Sequence, residues 1–487
     1  MSRIVFLTPP ISLKARYGSW AHAGNAMPSL GILSLTAVCR QAGFDTWVVE
    51  AAARDLDQDQ VVKRIKAIEP RYLGLSATTF SINAAAHCAK LAKQITRSIT
   101  TIVGGPHLTS VPRETMERFA DFDVGVIGEG EATIVELVKA LENGGNLEEV
   151  NGIIFRVKNS EKAGENTPLH HSAPRALIED LDVLPFPAHD LLEGFPHAFH
   201  PPPFKTTQFP AASIVTSRGC PNRCIFCDRS VFGNHCRAFS SHYIIAWIRE
   251  LVHRYGIKEL LIEDDTFVLF KSRLVEICEG LLRERLGISW SCLGRVDMVT
   301  PELLKLMRKA GCWEIGYGIE SGAQHILDFE KKKIDLAQVE QAVKWTMEAG
   351  ILAKGFFMMG HPHETEESMR TTVAFARKIS LSDISVMMLT PFPGSELYST
   401  ANQYGVFNND WSRMNLLQPV FIPKGLSEEK LNYYTRRMLK EFYLRPRIIR
   451  EYFLRMVKHP RTIVKILKGF YAFLTTVFPL RRHRSGE

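Results

Sequence analysis

No run of this sequence is both long and apolar enough to cross a bilayer. The nearest, Gly469–Leu480, has twelve residues, against the roughly twenty that a spanning helix needs. Cysteine is scarce too, with nine in 487 residues. That density excludes a disulfide scaffold, and the odd count, with three cysteines inside eight residues, points to a reduced compartment and a metal site. The segment Met1-Ser2-Arg3-Ile4-Val5-Phe6-Leu7 lacks a basic leader, a long apolar core and a small-residue cleavage site. No signal peptide is therefore expected, and the expected location is cytoplasmic. Repeats and low-complexity tracts are absent, and so are a Ser-His-Asp arrangement and a His-Glu-x-x-His motif, which leaves hydrolase chemistry without support.

What is present is ordinary for a globular protein of two or three domains: 45% hydrophobic and 23% charged residues. Residues 1–145 alternate short β-branched runs with helical stretches. The strand candidates are Ile4–Leu7, Trp47–Val49, Leu73–Leu75, Ile102–Val103 and Val124–Ile127. Uninterrupted apolar runs of this kind read as buried parallel strands covered by helices on both faces, a doubly wound α/β domain of flavodoxin-like size. Residues 146–210 read as a linker, with a small hairpin near Ile153–Val157 and the prolines Pro185, Pro187, Pro196 and Pro201-Pro202-Pro203.

From 211 to 400 the strand–helix rhythm returns about six times, with strands expected at Ile214–Thr216, Leu260–Glu263, Ile288–Ser291, Glu314–Gly318, Ala353–Met358 and Ile384–Leu389. Six such units make a partial (β/α)6 barrel with its working residues at the strand ends. Residues 401–487 read as helical and basic, divided by Pro446 and Pro460. From Arg436 to Glu487 there are fourteen Lys and Arg against three acids, although the whole chain carries only +8. Two readings of this tail stand side by side: helices packed on the barrel with a solvated basic face, or peripheral contact with the anionic inner-membrane surface. No nucleic-acid reader motif accompanies the charge.

Ser217-Arg218-Gly219-Cys220-Pro221-Asn222-Arg223-Cys224-Ile225-Phe226-Cys227 follows a strand candidate. Thiolates are the ligands of iron–sulfur clusters, and three cysteines on a four-iron cluster leave one iron open for chemistry. Structural zinc with His235 or Cys236 as fourth ligand is the alternative, although neither paired Cys-x2-Cys nor Cys2His2 is present. The Cys-x3-Cys-x-aromatic-Cys pattern, with Phe226 as the aromatic, resembles the radical S-adenosylmethionine superfamily. The resemblance implies a 4Fe-4S cluster on Cys220, Cys224 and Cys227. It further implies S-adenosylmethionine contacts from Glu263, Asp264 and Asp265 after the second strand, Arg295 after the third, and Glu320 and Ser321 after the fourth. Met359-Gly360-His361-Pro362-His363-Glu364-Thr365 is similar to the superfamily's Gly-x-Pro-Gly-Glu-Thr, with His363 in place of the second Gly. The other cysteines, Cys236, Cys278, Cys292 and Cys312, are expected to be small core residues.

An α/β domain ahead of such a barrel resembles the cobalamin-binding class of the superfamily. Pro28-Ser29-Leu30-Gly31, Val103-Gly104-Gly105-Pro106-His107 and Gly128-Glu129-Gly130-Glu131 match that class in place and order. The resemblance implies cobalamin contacts from Thr8, Pro9, Ser76, Thr78, Gly104, Gly105, His107, Gly128, Glu129 and Gly130. No Asp-x-His-x-x-Gly is found, so no protein imidazole is expected on cobalt, and His107 is expected to be a loop histidine. The activity implied is C-methylation of an unactivated carbon through a 5′-deoxyadenosyl radical, on a small-molecule or lipid-like substrate, with a flavodoxin or ferredoxin as electron donor. Oxidative cyclisation of the tetrapyrrole or hopanoid type with the same cofactors is one alternative; a non-catalytic cobalamin or zinc sensor is another.

Overall fold

The computed structural model describes residues 2–157, 168–202, 205–458 and 463–477. Pro203, Pro460 and the end of the apolar Gly469–Leu480 segment lie outside the described residues. Two parallel sheets organise the chain. In the front sheet, β1 (Arg3–Thr8), β2 (Asp45–Glu50), β3 (Tyr72–Ser76), β4 (Thr100–Gly104) and β5 (Val124–Val126) run in the order β2-β1-β3-β4-β5. This is the flavodoxin order. The hairpin read in the linker is present as β6 (Ile153–Arg156) and β7 (Leu169–His171), and it extends this sheet, with β6 antiparallel to β5.

Period-2 alternation divides each front strand between two cores. Val5 and Leu7 face the helices Gln58–Ile68 and Ile82–Ile95, while Ile4 and Phe6 face Leu30–Gln41 and Glu131–Asn143. At the carboxyl ends of these strands lie the glycine turns, where open α/β sheets bind ligands.

The second sheet holds β8 (Ala211–Ile214), then, beyond a two-stranded ribbon of β9 (Ser217–Arg218) and β10 (Arg237–Ala238), the strands β11 (Glu259–Ile262), β12 (Ser289–Gly294), β13 (Cys312–Glu320), β14 (Leu352–Met359) and β15 (Asp383–Met388). The six main strands pair in parallel in sequence order, an open barrel. The first of them lies earlier than Ile214–Thr216, because Ser217 leaves the sheet to pair in the ribbon. Burial of Cys278, Cys292 and Cys312 agrees with their reading as core residues, whereas Cys236 is half-exposed in the loop just before β10 and is not one.

A short antiparallel pair, β16 (Gly405–Phe407) and β17 (Phe421–Pro423), leads to the helices Glu428–Tyr443, Pro446–Lys458 and Ile463–Val477. Trp411 and Met414 of this region are buried in the front domain's core. The helix Ile463–Val477 packs on the turn Gly18–Ala23, and Phe473, Val477 and Trp20 share one apolar cluster. No described helix is long and apolar enough to cross a membrane.

Candidate functional site

The ribbon β9–β10 is the stem of the cysteine loop. Arg218 pairs with Arg237, and residues 219–236 loop out between them. Gly219 is required at the start: its φ is +88°, and a Cβ there would stand 2.5 Å from the His235 carbonyl oxygen. Asn234 Nδ2 donates to the carbonyls of Cys220 (3.0 Å) and Asn222 (2.9 Å), drawing the far strand across the first cysteine. The loop docks on the barrel through Ile225, whose N–H donates to the Glu330 carbonyl at 3.2 Å and whose carbonyl accepts from Leu397 N–H at 2.9 Å.

Cys220, Cys224 and Cys227 are free thiols, and each lies within electrostatic reach of the other two. Burial pushes the Cys224 thiol above its ordinary pKa, against the opposing pull of Lys332 and Arg295. Among the described residues no three His, Cys, Asp or Glu side chains converge on one ion. His235, the alternative zinc ligand, is turned to Glu179 at 3.0 Å. Asn222 Nδ2 lies 3.4 Å from Cys220 Sγ, the kind of donor that tunes a cluster's sulfurs. The donor set, with two cations beside it, fits a thiolate-held cluster.

Behind the loop, the strand ends supply charge. β13 breaks register between Gly318 and Glu320, and such irregularities re-aim side chains. Glu320 sits at φ 66°, which costs a residue with a Cβ about 1–2 kcal/mol. Its carboxylate meets Lys332 Nζ at 2.7 Å, both side chains being buried. Burial would lower the Lys332 pKa, but Glu320 and Cys224 outweigh it and hold the ammonium above its ordinary range. Lys332 Nζ also lies 5.9 Å from the centre of the Phe226 ring. Arg295 is buried, donates to the Lys332 carbonyl at 3.0 Å and holds Asp297. Arg295, Glu320 and Phe226 are thus brought together around Lys332, a residue with no motif of its own.

The other positions read from the sequence divide differently. Asp264 is fully buried, and its oxygens accept from Thr216 and Ser217. Glu263 pairs with Lys205 at 3.6 Å, whereas Asp265 is exposed at the same strand end. Ser321 is turned inward to Thr372 at 3.1 Å. His361, Glu330 and Glu364 form a buried group the motif reading did not foresee: His361 Nδ1 lies 2.9 Å from Glu330, and Glu364 accepts from the Gly360 and His361 N–H groups. The imidazole pKa rises to about 9; burial opposes the rise, and Glu330 outweighs it. Thr365 is the N-cap of the helix Glu366–Lys378. His363, at φ 62°, packs its ring on Phe329 and Tyr404 and lines a cavity of about 470 Å3 with Tyr404, Gln403 and Lys424.

In the front domain, Gly105 has φ +98°, and a Cβ there would meet the Ala77 carbonyl at 2.8 Å; Gly128 has φ +76° with open space where a Cβ would be. Gly105 is thus required by its close approach to Ala77, whereas Gly128, near Gly104 and Ser76 at the strand ends, leaves backbone open where a bulky ligand such as cobalamin would fit. Thr8 hydrogen-bonds Glu50 beside buried Pro9, and Thr78 caps its own turn through Ser81. His107 is buried: Nδ1 lies 3.2 Å from Thr79 Oγ1, and the Trp411 ring packs edge-on at 4.3 Å. Burial, with Arg118 nearby, pushes its pKa down to about 4. It is a core histidine, not one presented to a metal. Glu129, placed among the cobalamin contacts from sequence, has its carboxylate taken up instead by Arg218, Arg237 and the Ile178 N–H, beside half-buried Gly130.

The B12 binding domain family matches residues 20–138, and the Radical SAM superfamily matches residues 214–376. An uncharacterised methyltransferase of Pyrococcus horikoshii is 34% identical over 432 residues, covering 88% of this chain and 90% of that protein. The chain belongs to the cobalamin-binding radical S-adenosylmethionine family. Another member, the anaerobic magnesium-protoporphyrin IX monomethyl ester cyclase of Rubrivivax gelatinosus, is 27% identical over 96% of this chain and 82% of its own. The fold is that of the radical S-adenosylmethionine methyltransferase TsrM of Kitasatospora setae, solved with cobalamin and a 4Fe-4S cluster bound (TM-score 0.65, 17% identity, 83% of this chain and 75% of that one). Family membership makes the chain a radical S-adenosylmethionine enzyme.

Proposed function

We propose that this enzyme is a cobalamin-dependent C-methyltransferase acting on an unactivated carbon of a small-molecule substrate. One observation carries the reading: the front sheet's strand ends and the three-cysteine loop stand at the same junction, with Ser110, in the short helix after Gly104-Gly105, 3.1 Å from Asp228 of the loop. Cys220, Cys224 and Cys227 would hold the cluster; Glu320, Lys332 and Arg295 would orient S-adenosylmethionine; Ser76, Gly104, Gly105 and Gly128 would seat cobalamin. When bound, these groups supply a 5′-deoxyadenosyl radical and a transferable methyl group. The apolar cluster of Ile225, Phe226, Phe329 and Tyr404 keeps water from the loop's flank. The methyltransferase name of the relative that is 34% identical supports the reading. Oxidative cyclisation with the same cofactors is the second reading, favoured by the similarity to the magnesium-protoporphyrin ester cyclase. Electrons would come from a flavodoxin or ferredoxin.

Product analysis tests the proposal. Anaerobically reconstituted enzyme, given labelled S-adenosylmethionine and an extract of its native cells, is expected to release both 5′-deoxyadenosine and S-adenosylhomocysteine. Only 5′-deoxyadenosine favours the cyclase reading, and neither product refutes both.

Our reading places the enzyme in the cytoplasm with its tail on an anionic inner-membrane surface. Ile449, Phe453 and Val457 are 54–62% exposed at helical spacing, and Leu467, Phe470 and Tyr471 are exposed on the next helix. The surrounding sequence has an excess of Lys and Arg, the complement of acidic lipid. Flotation with phosphatidylglycerol vesicles should carry the full chain upward, and Phe453→Ser/Phe470→Ser should stay below. Equal behaviour of the two proteins refutes membrane contact.

A further inference from the structure

The cysteine loop is fastened to the front domain more firmly than its place in the barrel requires. At its stem, Glu129 accepts from Arg218 Nη1 at 2.7 Å and from Arg237 Nη1 at 2.8 and 3.0 Å. Glu131 takes the other arm of Arg218. All four residues are at most 8% exposed, and two carboxylates face two guanidiniums, so the group is charge-balanced. Burial alone would raise the Glu129 carboxyl, yet the bonds from Arg237, Ile178 and Arg218 hold it below the usual range. On the loop's flank, Ser110 Oγ lies 3.1 Å from Asp228 Oδ2 and 2.8 Å from Ser230 Oγ. Gly394 closes this contact: a Cβ there would stand 2.6 Å from Ser110 Oγ.

Both ties come from segments that follow the glycine turns at the carboxyl ends of the front strands. Ser110 belongs to the helix Pro106–Ser110 that follows Gly104-Gly105, and Glu129 follows Gly128. A ligand that contacts those turns therefore touches the same segments that anchor the cysteine loop, so the two sites share one contiguous network.

We propose that Glu129 and Ser110 are positioning residues that couple cobalamin occupancy of the front domain to retention of the cluster on Cys220, Cys224 and Cys227. The inference rests on the cofactor assignment given under the proposed function and adds to it a thermodynamic link. Links of this kind are reciprocal in binding free energy: cobalamin strengthens retention of the cluster at equilibrium, and the cluster tightens binding of cobalamin by the same factor.

The test uses full-length protein reconstituted without air, with and without hydroxocobalamin. The rate of iron release to a ferrous chelator is followed by absorbance, and cobalamin affinity is titrated with and without the cluster. For the wild type, iron release is expected to slow several-fold when cobalamin is bound, and cobalamin affinity to rise several-fold when the cluster is present. Ser110→Ala and Glu129→Gln should each take up both groups and lose most of this mutual effect, while Ser110→Thr, which keeps the hydroxyl, should retain it. A mere loss of packing would change release with and without cobalamin alike and leave the ratio intact. An unchanged ratio in Ser110→Ala, or no effect of cobalamin on the wild type, overturns the coupling alone. A protein that takes up no iron and sulfide, or no cobalamin, overturns the cofactor assignment together with the coupling.

Discussion

Glu320 combines a left-handed backbone with a buried ion pair, and both features cost free energy that an ordinary strand end would not incur. Backbone strain of this kind persists where the surroundings over-determine it, here through Lys332. Breaking a buried pair by removing one partner costs about 3–5 kcal/mol. Glu320→Ala is accordingly expected to destabilise the protein by about 3 kcal/mol in urea titrations and to weaken S-adenosylmethionine binding at least ten-fold by calorimetry. Two buried histidines contribute to the response to acid. His107 and His189 are buried, and burial lowers both to about 4. Their folded pKa values lie below the ordinary 6.5, so the unfolded chain binds more protons between those limits. Stability they contribute is present above pH 6.5 and is lost as pH falls toward 4. Melting temperatures measured from pH 7 to 4.5 should fall, and should fall less in His107→Gln. The family resemblance located Glu320 and Arg295 and included His361 in a motif, but nothing in the sequence marked Lys332 or Glu330. Those lie in turns with no periodicity, and their importance comes from being buried beside opposite charge.

At the scale of elements, the apolar runs of both sheets were legible, because buried parallel strands have no alternative partner for so many β-branched side chains. The exception was the first barrel strand. Its end was read too late because Ser217 and Arg218 pair with Arg237 and Ala238, and a two-residue ribbon closed across 18 intervening residues leaves no local pattern. That ribbon depends on Gly219. Gly219→Ala would drive a Cβ against the His235 carbonyl at a positive φ. The variant should fold with an unchanged far-ultraviolet circular dichroism spectrum, yet retain less than half of the wild-type iron and sulfide after reconstitution. Cys236→Ser and His235→Ala, outside the trio, should retain all of it. The tail helices were also legible, since Pro446 marks the start of one; their packing on the front domain was not, because nothing in a helix's own periodicity says which distant surface it will meet.

For the whole molecule, the Glu129–Arg218–Arg237–Glu131 group and the burial of Trp411 join the two sheets into one body. The resemblance placed Glu129 among the cobalamin contacts, and only the folded arrangement shows which cations it serves. Removal of that carboxylate leaves two guanidiniums buried with one acid between them, so Glu129→Ala should lower stability by about 3–5 kcal/mol. Denaturation followed by calorimetry should then show two transitions where the wild type shows one.

Trp20 is covered by a helix that lies at the other end of the sequence. Ribosomes add roughly 5–20 residues per second, so this indole leaves the exit tunnel tens of seconds before Phe473 has been translated. Through that interval the newborn front domain exposes an unfinished apolar edge, and its safe passage depends on whatever shields nascent chains until the last helix arrives.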